Sequence, residues 1–336
     1  MTLSPPQAPT ALSRRKLLVW TGALLGATLL VGVGCSLVGQ YHLTADVWRI
    51  RLFRVAAAGV VGAALAVGGL ALQALLRNPL AEPYVLGLSS GAGVGVLIGL
   101  SLAGRLLLPA WATTPVLAMI GALVTSAVVY FVARRHGHLD PYVLILSGVI
   151  VNVINGALVL AILQFTRPEE MIHFIGWGMG QIPEWLWSRP RLLVVGSSLV
   201  LAGWAALFLR GAAYNALGLG DEVASSSGVP VHWLRTETFL VVSIMTAMAV
   251  SLAGPVGFVG LIVPHVCRLV LGPDHRLLTI VSGFGGAIFL IAADTLCRLV
   301  DTWLHVGEVP VGVVTAVVGG PFFIVLLRRR AGRRAG

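Results

Sequence analysis

Residues 141–163 read PYVLILSGVIVNVINGALVLAIL, without a charged side chain from end to end. A helix needs roughly 20 apolar residues to cross a hydrocarbon core about 30 Å thick, and this stretch meets that requirement. Runs of similar character lie at 17–38, 52–75, 84–103, 113–133, 191–210, 235–253, 278–299 and 310–327. A shorter one, containing Pro264, lies at 258–271. The 336 residues are 57% hydrophobic and 11% charged, whereas soluble domains carry about 25% charge. So much apolar surface needs lipid as its solvent. The expected fold class is all-α: a polytopic membrane protein.

Parity decides the number of crossings. Arg14, Arg15 and Lys16 stand at one end, and Arg328, Arg329, Arg330, Arg333 and Arg334 at the other. Both clusters prefer the cytoplasm, so the count is even and 258–271 is taken to span. This predicts ten transmembrane helices with both termini cytoplasmic. The expected organisation is a cytoplasmic tail at 1–16, a transmembrane domain at 17–327 and a basic tail at 328–336. Ser13-Arg14-Arg15-Lys16 is reminiscent of a twin-arginine export signal, but the apolar run that follows is too long for one and ends in no A-x-A site. It reads as the first span. The net charge of +10 does not indicate nucleic acid, because the basic residues cap apolar segments and form no stripe. Arg49, Arg51 and Arg54 break the pattern: they fall together on the predicted outer side.

Several chemistries are excluded. Lys16 is the only lysine, so no G-x-x-x-x-G-K-[ST] phosphate loop exists. There is no G-x-S-x-G, no H-E-x-x-H and no paired carboxylates flanking a loop. Cys35, Cys267 and Cys297 are far apart in apolar stretches, with no metal-ligand spacing. The chain is expected to be neither an enzyme nor a holder of a metal or cofactor.

Other features point to packing and docking. Gly87, Gly91, Gly95 and Gly99 form an i, i+4 series that offers a flat face for close helix approach, a packing reading preferred to a direct substrate role. The inner loop 211–234 contains helix punctuation, with Gly220 and Asp221 at a start and Gly228 and Pro230 at a stop. It reads as a short cytoplasmic helix suited to docking, with a plain connector as the alternative. Asp294, Arg298 and Asp301 share one face of the ninth span. A self-satisfied ion cluster is the simpler reading, and a proton or ion relay the other. His265, after Pro264, reads as a hydrogen-bonded helix terminus rather than a ligand.

The motifs resemble those of the permease subunits of ATP-binding-cassette importers for iron siderophores, haem and vitamin B12. Arg51-Leu52-Phe53-Arg54 is similar to the family's R-L-P-R, with Phe53 replacing the usual proline. Arg77-Asn78-Pro79-Leu80-Ala81-Glu82-Pro83 and Leu86-Gly87-Leu88-Ser89-Ser90-Gly91-Ala92 resemble R-N-P-L-A-x-P and LG-x-S-S-G-A. Leu219 to Ala224 resembles L-G-x-x-x-A, and Gly254 to Arg268 resembles G-P-I-G-F-I-G-L-x-x-P-H-x-x-R. Ala293-Asp294-Thr295, Glu308 to Thr315 and Gly320 to Phe323 continue the likeness.

The resemblance implies a homodimer of ten-helix subunits in the inner membrane of a prokaryote, with one translocation path between them. It implies two cytoplasmic ATPase subunits that hold ATP and Mg, and a periplasmic or lipid-anchored solute-binding protein outside. It assigns ATPase coupling to the element at 216–230, with Leu219, Gly220, Asp221, Glu222, Ala224 and Gly228. It assigns binding-protein docking to Arg51, Arg54 and Arg298, and a cytoplasmic gate to Asn78 and Leu80. A second gate falls at Pro141 and Tyr142, where the family's small polar residues are missing. The competing expectation, an ion-gradient-driven secondary transporter, calls for ionisable residues at mid-span, and helices 2 to 8 have almost none there.

Overall fold

The computed structural model describes residues 14–39, 44–106, 109–135, 137–305, 307 and 309–332. The tail at 1–13, the end of the basic tail at 333–336 and Glu308 lie outside the described residues. The helices, in chain order, are α1 (Arg14–Ser36), α2 (Ala45–Leu75), α3 (Leu88–Leu106), α4 (Ala110–Ala133), α5 (Pro141–Leu163), α6 (Pro168–Gly178) and α7 (Pro190–Leu209). They continue with α8 (Gly211–Leu219), α9 (Asp221–Ser226), α10 (Val231–Ala253), α11 (Val259–Leu271), α12 (His275–Leu304) and α13 (Val311–Gly332). Short 3-10 turns occupy Pro83–Leu86 and Glu184–Ser188. A two-stranded antiparallel hairpin, β1 (Arg134–Arg135) and β2 (His138–Leu139), links α4 to α5.

Eight helices among the described residues are long and apolar enough to cross a membrane: α1 to α5, α7, α10 and α12. Two further apolar helices, Val259–Leu271 and Val311–Leu326, are shorter. Helix starts follow local chemistry. Proline opens α5, α6 and α7, where its missing N–H is not needed. Thr44, Asp140 and Asp274 accept backbone N–H bonds at the starts of α2, α5 and α12, the usual role of an N-cap. Pro264 lies inside α11 without ending it.

The structure departs from the sequence reading in three places. The segment between α5 and α7, where the sequence offered no apolar run, contains α6 and a 3-10 turn. The segment 211–234, expected to hold one short helix, holds two, α8 and α9, before α10 begins. Gly87 is not part of α3: it closes the preceding 3-10 turn with φ 81°. Each element is too short to show the periodicity that marks a span.

The core is organised around α2, which is buried along most of its length against α10, α11 and α12. In lipid, apolar surface alone does not favour one helix contact over another, so close backbone approach must. Gly62 of α2 faces Gly286 of α12 so tightly that a Cβ on either would strike the other's carbonyl oxygen. Gly69 and Gly260 bring α2 and α11 together: a Cβ on Gly69 would strike the Gly260 carbonyl, and one on Gly260 the Leu65 carbonyl. On α3, Gly91 and Gly95 lie directly against Gly121, Thr125 and Leu117 of α4, and Gly99 lies beside Thr114. The outward residues of α1, α4 and α5, such as Leu30, Phe131 and Val153, are apolar and exposed, as a lipid-facing surface should be.

Candidate functional site

The helix pair α8–α9 is built on one glycine. Gly220, between the two helices, has φ 132° and ψ 154°, a region essentially restricted to glycine. Gly228, with φ 82°, follows the end of α9. The six residues assigned to coupling then divide by direction. Ala224 is fully buried. Asp221 is tied to the body: it accepts from Arg235 Nη2 at 2.8 Å and is paired with Arg77. Leu219, Glu222 and Val223 are exposed and form the outward ridge.

Arg77 joins this pair to the loop between α2 and α3. Its Nε donates to the Leu217 carbonyl at 3.2 Å, and its own backbone is left-handed at φ 47°. One residue on, Asn78 Oδ1 accepts from Leu80 N at 3.0 Å. The proposed gate residues thus sit in a turn that the asparagine closes on itself. Tyr142 is 75% exposed at the start of α5, behind the Asp140 cap. Among the described residues no hydrogen bond joins Asn78 or Leu80 to Pro141 or Tyr142.

At the opposite end, Arg54 Nε donates to Asp294 at 2.9 Å and its Nη1 lies 3.4 Å from Glu184. Arg298 Nε lies 3.4 Å from Asp294. Arg298 also donates to the carbonyls of Val38 and Cys35 at 2.7 and 3.0 Å and to Thr295 Oγ1 at 2.9 Å. Asp294 is fully buried, and Arg51 and Arg54 are 7% and 4% exposed. One carboxylate therefore shares two guanidiniums, linking α2 and α12, while Arg298 fastens the end of α1. Buried charge persists in a membrane domain only when paired in this way. The pair inside α12 was legible at i, i+4, but its partner Arg54 lies 240 residues away.

Sequence reading missed a further junction inside the bundle. Glu82 Oε1 accepts from Phe258 N at 2.5 Å, and Tyr84 Oη accepts from Val256 N at 2.9 Å. These bonds hold the break between α10 and α11, where Gly254 and Phe258 have φ 66° and 68°. Gln181 N donates to the Ala253 carbonyl at 2.8 Å, and Gly312 N to the Gly180 carbonyl at 3.2 Å. The turn after α6 and the start of α13 thus join the same knot. Non-helical backbone survives at such a place only when its polar groups are satisfied by protein or water. Burial pushes the Glu82 carboxyl up to about 7, against the lowering effect of the Phe258 N–H. One signal was available: Glu82 is the only acidic residue between Asp46 and Asp140.

His265 is buried in α11 with its ring 6.2 Å from that of Phe322 on α13. Among the described residues no cluster of His, Cys, Asp or Glu has the arrangement of a metal site.

Comparison with known proteins places the chain in a family. The FecCD transport family model matches residues 16–329. The cobalamin import system permease protein BtuC of Halobacterium salinarum is 41% identical over 288 residues, covering 84% of this chain and 73% of its own. The hemin transport system permease protein HmuU of Yersinia pestis is 39% identical over 298 residues, covering 86% and 85%. A solved inward-facing structure of a candidate metal-chelate type ABC transporter superposes with a TM-score of 0.78 at 27% identity, over 94% of this chain and 99% of the other. The chain belongs to the FecCD transport family, the permease component of ATP-binding-cassette importers.

Proposed function

We propose that this chain is the membrane permease of an importer that carries a large metal chelate (cobalamin, haem or a ferric siderophore) into a prokaryotic cell across its inner membrane. Transport would proceed by alternating access, driven by two ATPase subunits that hold ATP and Mg. The observation that carries the reading is the α8–α9 pair. Its Leu219, Glu222 and Val223 ridge is free to meet a partner, while its Asp221 is tied through Arg77 to the loop bearing Asn78 and Leu80. A push on the ridge is therefore delivered to the gate. Family membership and the cobalamin and hemin permeases among its relatives support the substrate class.

In this proposal ten helices cross, with α11 and α13 as the short members and both ends cytoplasmic. A second copy of the chain completes the path. A periplasmic or lipid-anchored binding protein docks where α2 begins and α12 ends. Arg51, Arg54 and Arg298 contribute there from beneath the surface, since the first two are almost covered and Arg298 is bonded to α1. Pro141 and Tyr142 line the second gate.

The test is uptake of labelled cobalamin, haem and ferric siderophore into proteoliposomes containing the complete complex and its binding protein. ATP-dependent uptake of one ligand is expected. Uptake that proceeds unchanged without ATP would overturn the importer reading.

A further inference from the structure

The loop from Arg77 to Leu86 has two anchored ends. At one, Arg77 is bound to α8 and α9. At the other, Glu82 and Tyr84 are bound to the backbone of the break between α10 and α11. Asn78 and Leu80 lie between them.

The Glu82 end carries a specific conformation. Phe258 is a bulky residue at φ 68°, a costly region for a side chain that branches into a ring. Strain of this kind, of order 1–3 kcal/mol, persists only where surroundings over-determine it. Two contacts do so here. The Glu82 carboxylate takes the Phe258 N–H. The Phe258 ring lies in a notch on α13 at Gly319, where a Cβ would collide with the ring. A buried backbone N–H needs an acceptor, and Glu82 supplies it. Glu82 therefore fixes both where α11 begins and where the ring meets α13. The same break is joined to the turn after α6 by Gln181 and Ala253.

We propose that Glu82 is a positioning residue for transport: by holding Phe258 in the notch at Gly319, it makes the gate loop and α13 move as one body. Motion received at Asp221 then reaches α13 through Arg77, the gate turn and Glu82. The exposed apolar face of α13, with Val313, Val317 and Val318, is the surface so moved. This inference rests on the importer reading.

The experiment uses the complete complex in proteoliposomes, measuring ligand uptake and ATP hydrolysis together. Glu82→Ala removes the acceptor, and Glu82→Gln keeps an acceptor oxygen without the charge. Phe258→Ala removes the ring and leaves the Glu82 bond available. Glu82→Ala and Phe258→Ala are each expected to lower ligand carried per ATP hydrolysed about tenfold, while binding protein still stimulates hydrolysis; in Glu82→Ala the penalty of a buried N–H left without its acceptor is large enough for a loss of that size. Glu82→Gln is expected to restore most of it. Wild-type transport per ATP in both alanine variants would overturn the proposal, as would a glutamine variant as impaired as Glu82→Ala. If Glu82→Ala does not assemble, Phe258→Ala decides by the same ratio. Failure of the importer reading is separate, because the unmodified complex would then show no ATP-dependent uptake.

Discussion

Gly220 illustrates how much one residue can decide. Its φ of 132° and ψ of 154° are reached by a residue with a Cβ only under strain of about 1–3 kcal/mol. Nothing crowds the position closely; a Cβ added at Gly220 would have Val223 Cγ2 as its nearest neighbour, 4.0 Å away. Gly220→Ala should therefore act through the backbone alone, turning α9 rather than unfolding the protein. Stimulation of the ATPase should fall severalfold while the detergent-solubilised melting temperature changes by a few degrees. Full stimulation in this variant would count against α9 as the coupling element. Asp294 is the opposite case. It is fully buried between Arg54 and Arg298, and removing one partner of a buried ion set costs about 3–5 kcal/mol. Asp294→Ala should lower the melting midpoint strongly. An unchanged midpoint would show that the two arginines are satisfied without it.

At the scale of elements, close packing and ionic ties make different demands. Gly95 meets the Leu117 carbonyl of α4 at a distance no side chain tolerates. Gly95→Leu must push α3 off α4, and overpacking of this kind costs about 1–3 kcal/mol. Reduced yield of folded protein by size-exclusion chromatography is the expected result, and normal yield and melting would remove the packing role. The Arg77–Asp221 pair should contribute little to stability, since its side chains are 41% and 44% exposed and such pairs are worth less than about 1 kcal/mol. Arg77→Ala is thus expected to leave melting unchanged while lowering transport per ATP. A variant that melts normally and transports normally would mean that the pair transmits nothing. The spacing of the glycines on α3 was legible because a helix repeats every 3.6 residues. Their partner Gly121, and the partners Gly260 and Gly286 of the α2 glycines, were not, because nothing local marks which helix a glycine will meet.

The whole molecule sets its own test. One span, α7, separates Glu169, in the first turn of α6, from Glu222, in α9, so the proposed topology places them on opposite sides. In a chain freed of Cys35, Cys267 and Cys297, a cysteine at 222 should react with a membrane-impermeant maleimide only from the cytoplasmic side, and one at 169 only from outside. Labelling of both from the same side would remove α7 as a span, and with it the proposed topology. The solvent and class of the fold followed from composition and run length, because hydrocarbon imposes a minimum apolar length that local sequence must satisfy. The helix start at Asp221, the glycine face of α3 and the motifs of the family were likewise readable in order along the chain. Tertiary structure alone joined Arg54 to Asp294, Arg77 to Asp221 and Glu82 to Phe258. Those contacts span 240, 144 and 176 residues. They depend on how closely whole helices approach, and a spacing rule within one helix carries no information about that.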